Sequence, residues 1–147
     1  MTDGRPGPGP GAMALRWLAV GLVCPLLWVG LLTLTIAAHY RIEQDLCPSA
    51  ALVSGICNDE GTQTLLWAFK HAAMTLSLAL VPWVGMRLAP AHQRGLAAGI
   101  VLAVQLAASL TLAGNRWSMI AAAWMGAAAG AAIVVVSLRR PAPLSRT

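Results

Sequence analysis

Lys70 and His71 stand side by side inside an otherwise apolar stretch of this 147-residue chain. An ammonium and an imidazole among aliphatic neighbours are groups with which a membrane helix contacts an anion, an ion path or a partner. Lys70 also has a structural use. Side chains lean toward a helix N-terminus, so Lys70 reaches back toward water while its stem stays apolar. Asp59 and Glu60 precede the stretch and place carboxylates at the same mouth, with Thr62, where they also suit a helix start. Lys70, His71, Asp59 and Glu60 therefore form the candidate polar site. His71 points about 100° round the helix from Lys70, in line with Trp67 and Met74.

Histidines on facing helices of a small bundle raise the question of haem. His39 closes the first apolar run, whereas His71 lies on the order of 10 Å into the second at 1.5 Å per residue. His92 belongs to the opposite side. The depths do not match for two axial ligands, and no other ligand cluster is visible, so no cofactor and no metal are expected.

Cys47 and Cys57 offer sulfur chemistry, yet nine residues separate them, whereas a redox-active pair is usually C-x-x-C. The spacing predicts a structural disulfide formed in an oxidising compartment. Closing a loop of about eleven residues stabilises by roughly 3 kcal/mol on the chain-entropy model. Cys24, beside Pro25, is an apolar buried thiol.

Four apolar runs position all of these residues: 15–38, 65–86, 95–114 and 117–138. Each approaches the roughly 20 residues needed to cross a bilayer core. With 58% hydrophobic and 10% charged residues, little remains for a soluble domain. The predicted fold is an all-α integral membrane protein, a four-transmembrane-helix bundle. A Gly/Pro-rich tail, residues 1–12, is expected to be disordered. The membrane domain covers 13–140, with an outer loop at 40–64 and a short tail at 141–147. Initiation at Met13, or cleavage after the first run, are alternative processings, but 24 uncharged residues exceed a usual signal core of about 7–15.

Charge placement sets the orientation. Arg5, Arg16, Arg87, Arg94, Arg139, Arg140 and Arg146 lie on one side, against Arg41 and Arg116 on the other. Positive residues favour the cytoplasm, so both termini are expected there, in a bacterial-type inner membrane, N-in/C-in. The net charge of +5 then reflects topology and the lipid bilayer rather than nucleic acid.

Small residues recur every fourth position in the last two runs: Gly99, Ala103 and Ala107 in the third, Ala122, Gly126 and Gly130 in the fourth. Such stripes let helices approach closely, within the chain or against another subunit. Gln105, beside the first stripe, is expected to hydrogen-bond across a helix interface. Pro25 and Pro82 each remove a backbone donor from a span.

No nucleophile motif or phosphate loop accompanies these features, so an enzyme is not expected. The expected role is a non-enzymatic accessory or interaction subunit that packs on other membrane subunits or on itself. The alternatives are a small transporter or channel using Lys70 and His71, or a membrane redox protein.

Overall fold

The computed structural model describes residues 9–53, 56–114 and 116–139. The architecture is helical: α1 (Pro10–Leu46), α2 (Glu60–Leu88), α3 (Arg94–Ala113) and α4 (Trp117–Arg139), with short 3-10 turns at Ser49–Ala51 and Ala91–Gln93. All four helices are long and apolar enough to cross a membrane. The one sheet among the described residues is a two-residue antiparallel ladder, β1 (Leu52–Val53) on β2 (Ile56–Cys57).

The helix ends depart from the apolar runs. α1 starts at Pro10, where fixed φ and a missing N–H suit the first turn. Pro10 to Ala12 are therefore helical, a correction to the expected disordered tail; residues 1–8 and the C-terminal tail 141–147 lie outside the described residues. α1 also continues two turns past residue 38 to Leu46, because polar residues beyond a span propagate a helix as readily as apolar ones.

α1 packs through one seam, Trp17, Val20, Cys24, Leu27 and Leu31, spaced three and four residues apart against α2. Its other faces carry exposed leucines, including Leu26 at 71%. An all-round apolar helix of this kind suits lipid. Trp17 Nε1 donates to Gln93 Oε1 at 2.6 Å and ties α1 to the turn before α3.

α2 is the shared wall of the bundle, with α1, α3 and α4 all packed against it; α3 also packs on α4. The α4 stripe makes the closest of these approaches. Ala122, Gly126 and Gly130 are buried, and a Cβ at Gly126 would stand 2.9 Å from Thr75 Cα. A Cβ at Gly130 would stand 2.5 Å from the Leu78 carbonyl oxygen. Pro82, four residues beyond Leu78, has no N–H to give that carbonyl. That oxygen lies beside α4 at the residue whose missing side chain leaves room for it. The α3 stripe behaves oppositely. Gly99, Ala103 and Ala107 are exposed, and nothing lies within 4 Å of a Cβ built at Gly99. The expectation of two helix-packing stripes is thus corrected within this chain: α4 uses its stripe on α2, and α3 turns its stripe outward.

The loop between α1 and α2 is held by the Cys47–Cys57 disulfide. Around it, Cys57 N–H donates to Glu43 Oε1 at 3.0 Å, Gln63 Nε2 donates to the Cys57 carbonyl, and Asn58 N–H donates to the Ala51 carbonyl at 3.0 Å. Reduction is expected to open the loop and leave the bundle intact. Limited proteolysis should then cut between residues 47 and 57 only after a reductant is added, with helical circular dichroism unchanged.

Candidate functional site

Lys70 and His71 part company in three dimensions. His71 Nδ1–H donates to the Trp67 carbonyl at 2.6 Å, and its ring lies against the Trp67 ring, centroids 4.0 Å apart. That bond places a proton on Nδ1 and leaves Nε2 buried without a partner among the described residues. Lys70 points instead into a cavity of about 430 Å³ at the loop end of the bundle. Trp28, Thr35, His39 and Tyr40 of α1 line it from one side, Met74 and Ser77 continue along α2, and Ser109 and Leu112 of α3 face them.

The four residues expected to share one polar site do not share it. Asp59 is the N-cap of α2, accepting from Thr62 N–H at 2.7 Å and Thr62 Oγ1 at 2.8 Å. Glu60 sits exposed in the first turn, where negative charge suits the helix dipole. Lys70 lies about 15 Å further along the helix at 1.5 Å per residue. Among the described residues it makes no ion pair with either carboxylate, and Arg116 makes none with them.

The Thr62 backbone bond, followed by the hydroxyl bond, holds the Asp59 carboxyl below its ordinary range. Its capping contribution is therefore complete above the ordinary carboxylate range and is lost as pH falls through the lowered value. Hydrogen-exchange protection at the Thr62 amide, taken relative to the intrinsic rate at each pH, should hold from neutral pH into mild acid and fall below it. Asp59→Ala should make that exchange fast at neutral pH as well.

His39 joins Lys70 because α1 does not end there. The expectation that His39 closes its helix is corrected by the two further turns to Leu46, which set the His39 ring against the same cavity as Lys70. Its Nε2 lies 3.8 Å from Glu43 Oε2, and its Nδ1 is buried without a partner among the described residues. His71 is not in that lining. No group of three His, Cys, Asp or Glu gathers among the described residues.

The cavity's chemistry is one-sided. Lys70 supplies its ammonium, His39 an imidazole, Tyr40, Thr35, Ser77 and Ser109 add hydroxyls, and no carboxylate is among its lining residues. Glu43, close by on α1, is engaged by the Cys57 N–H. The remaining wall is aliphatic or aromatic. Ser77 was accessible from sequence, seven residues from Lys70 on the same helical face. His39 and Ser109 had no such local signal, because their approach depends on which helices are neighbours.

A second cavity of about 380 Å³ lies further along the cleft, between Trp17, Gly21, Cys24 and Pro25 of α1 and Ile100, Val104 and Gln105 of α3, with Val81 of α2 beneath. Gln105 is only 4% exposed, and neither of its amide atoms has a partner among the described residues. The interhelical hydrogen bond expected of Gln105 is absent, because α1 stands off from α3 across the cleft.

No protein-family model, curated protein or solved structure matches this chain.

Proposed function

We propose that this chain is a non-enzymatic, multi-pass protein of a bacterial-type inner membrane, both termini cytoplasmic, that binds an anionic amphiphile at the outer end of its α1–α3 cleft. The carrying observation is the loop-end cavity, in which Lys70, without an ion pair among the described residues, meets an apolar wall large enough for an acyl chain. A carboxylate or phosphate head satisfies the ammonium by a charge-assisted bond. The chain of the same molecule covers apolar surface that a soluble anion would leave bare. Arginine placement supports the orientation, which sets the disulfide loop on the oxidising side and the cavity in the outer leaflet. Purification in mild detergent, followed by organic extraction and mass spectrometry, should recover a fatty acid or anionic phospholipid in stoichiometric amount. Recovery of zwitterionic lipid alone, in membrane proportions, would refute the proposal.

The accessory-subunit role retains one observation, the outward α3 stripe of Gly99, Ala103 and Ala107. It predicts a membrane protein co-purifying with the wild type and lost on Gly99→Leu.

A further inference from the structure

We propose that the second cavity takes the far part of the amphiphile's acyl chain, so that the protein selects a chain long enough to pass Trp28. The inference rests on the amphiphile reading of the Lys70 cavity and adds the chain class to it.

The two cavities lie end to end along the same three helices. On α2, Lys70, Met74 and Ser77 line the first, and Val81, about one turn beyond Ser77, lines the second. On α3, Ser109 lines the first, whereas Ala108 and Val104 line the second. Trp28 of α1 lines both, and it packs against the buried cluster that contains Cys24 and Val81. Trp28 is therefore their common wall. A hydrocarbon chain headed at Lys70 reaches the second cavity by running past it.

Length and surface chemistry select that occupant. Lys70 to Ser77 covers about 10 Å and Lys70 to Val81 about 16 Å, at 1.5 Å per residue. The acyl chain of one leaflet spans about 15 Å, half of a core of roughly 30 Å. A membrane-length chain thus outruns the first cavity, and one half as long ends within it. Beyond Trp28 no charged side chain is among the lining residues, and both Gln105 amide atoms are buried. Trp17 Nε1 already donates to Gln93 Oε1, and the Cys24 thiol faces the Val81 carbonyl at 3.9 Å. Water finds too few partners in such a space, which stays dry and accepts hydrocarbon. Left void, its walls lose dispersion contacts on one side. A tail tethered by its own head is present at high effective concentration, ahead of unattached lipid chains.

The test irradiates two photoactivatable palmitates with the full-length protein in nanodiscs, one carrying its diazirine at mid-chain and the other at the chain terminus. Adducts are mapped by peptide mass spectrometry. The mid-chain probe should label Met74 and Leu112. The terminal probe should label Cys24, Val101 and Ala108, lining residues that are buried or half-buried and so shielded from bulk lipid. Excess palmitate and Lys70→Met should each abolish the terminal adducts. Gly21 also lines the second cavity, and a Cβ built there meets nothing within 4 Å. Gly21→Leu therefore adds a side chain at the wall with no packing to disturb, and leucine favours a helix over glycine. That variant should lose the terminal adducts on Cys24, Val101 and Ala108. Terminal adducts on Leu18, Leu26 and Val136, or back on Met74 and Leu112, with mid-chain labelling intact, would overturn this inference alone. Terminal adducts that persist in Lys70→Met or Gly21→Leu would overturn it as well. Competable adducts from neither probe would overturn the amphiphile reading and this inference together.

Discussion

Gly130→Val should separate α4 from α2 and leave the protein unable to hold its bundle in detergent. A Cβ at residue 130 would stand 2.5 Å from the Leu78 carbonyl oxygen and 3.3 Å from Ala79 Cα, both backbone atoms that no rotamer change moves aside. Forcing even one methyl into a closed core costs about 1–3 kcal/mol, so Gly130→Ala should already lower the midpoint of thermal unfolding. Valine adds two more carbons against the same wall. Gly126→Ala should act in the same direction, because Thr75 Cα lies 2.9 Å from the added carbon. Gly99→Ala is the control: its added carbon meets nothing within 4 Å, and the midpoint should match the wild type. A Gly130→Val protein as stable as the wild type would mean that α4 does not rest on α2 through this stripe.

Lys70→Met should weaken binding of a long-chain carboxylate by about ten- to a hundredfold, the loss of one charge-assisted bond of roughly 1.5–3 kcal/mol. Methionine keeps the apolar stem and the helical propensity, so the bundle should fold as before. Lys70→Arg should retain most of the affinity, since charge rather than a particular donor shape meets the head. His71→Ala should leave affinity unchanged, because His71 faces Trp67 and not the cavity. Palmitate titrated by intrinsic tryptophan fluorescence in nanodiscs reports the change through Trp28, which lines the cavity. Equal affinity in Lys70→Met and wild type would remove Lys70 from the site.

The four spans were legible because charged residues punctuate them. Where α1 ends was not, since Tyr40 to Leu46 is polar enough to look like loop yet stays helical. The small-residue stripes were legible as surfaces for close approach but not as pairings. Gly126 and Gly130 needed a partner surface, and α2 supplies it at Thr75 and Leu78. The α3 stripe carries the same spacing and meets nothing in the chain. Spacing describes what a helix offers; it does not say which neighbour takes it.

The candidate site divided along the same line. Lys70 stood out because an ammonium in an apolar run has few uses. Its companions were taken from sequence adjacency, His71, Asp59 and Glu60, although one residue on a helix turns 100° away and ten residues span almost three turns. Of the residues that do share its cavity, those on α2, Met74 and Ser77, stand at helical period from Lys70, whereas those on α1 and α3 gave no such signal. Gln105 was recognised as a polar group seeking a partner. That it would find no partner on a facing helix depended on α1 standing off from α3.

A photoactivatable palmitate carrying a diazirine near mid-chain, irradiated with the protein in nanodiscs and mapped by peptide mass spectrometry, tests amphiphile binding most directly. Specific binding predicts adducts concentrated on Met74, Leu112 and Met119, abolished by excess palmitate and by Lys70→Met. Adducts spread over the outward-facing Leu18, Leu26 and Val136, unaffected by Lys70→Met, would contradict it.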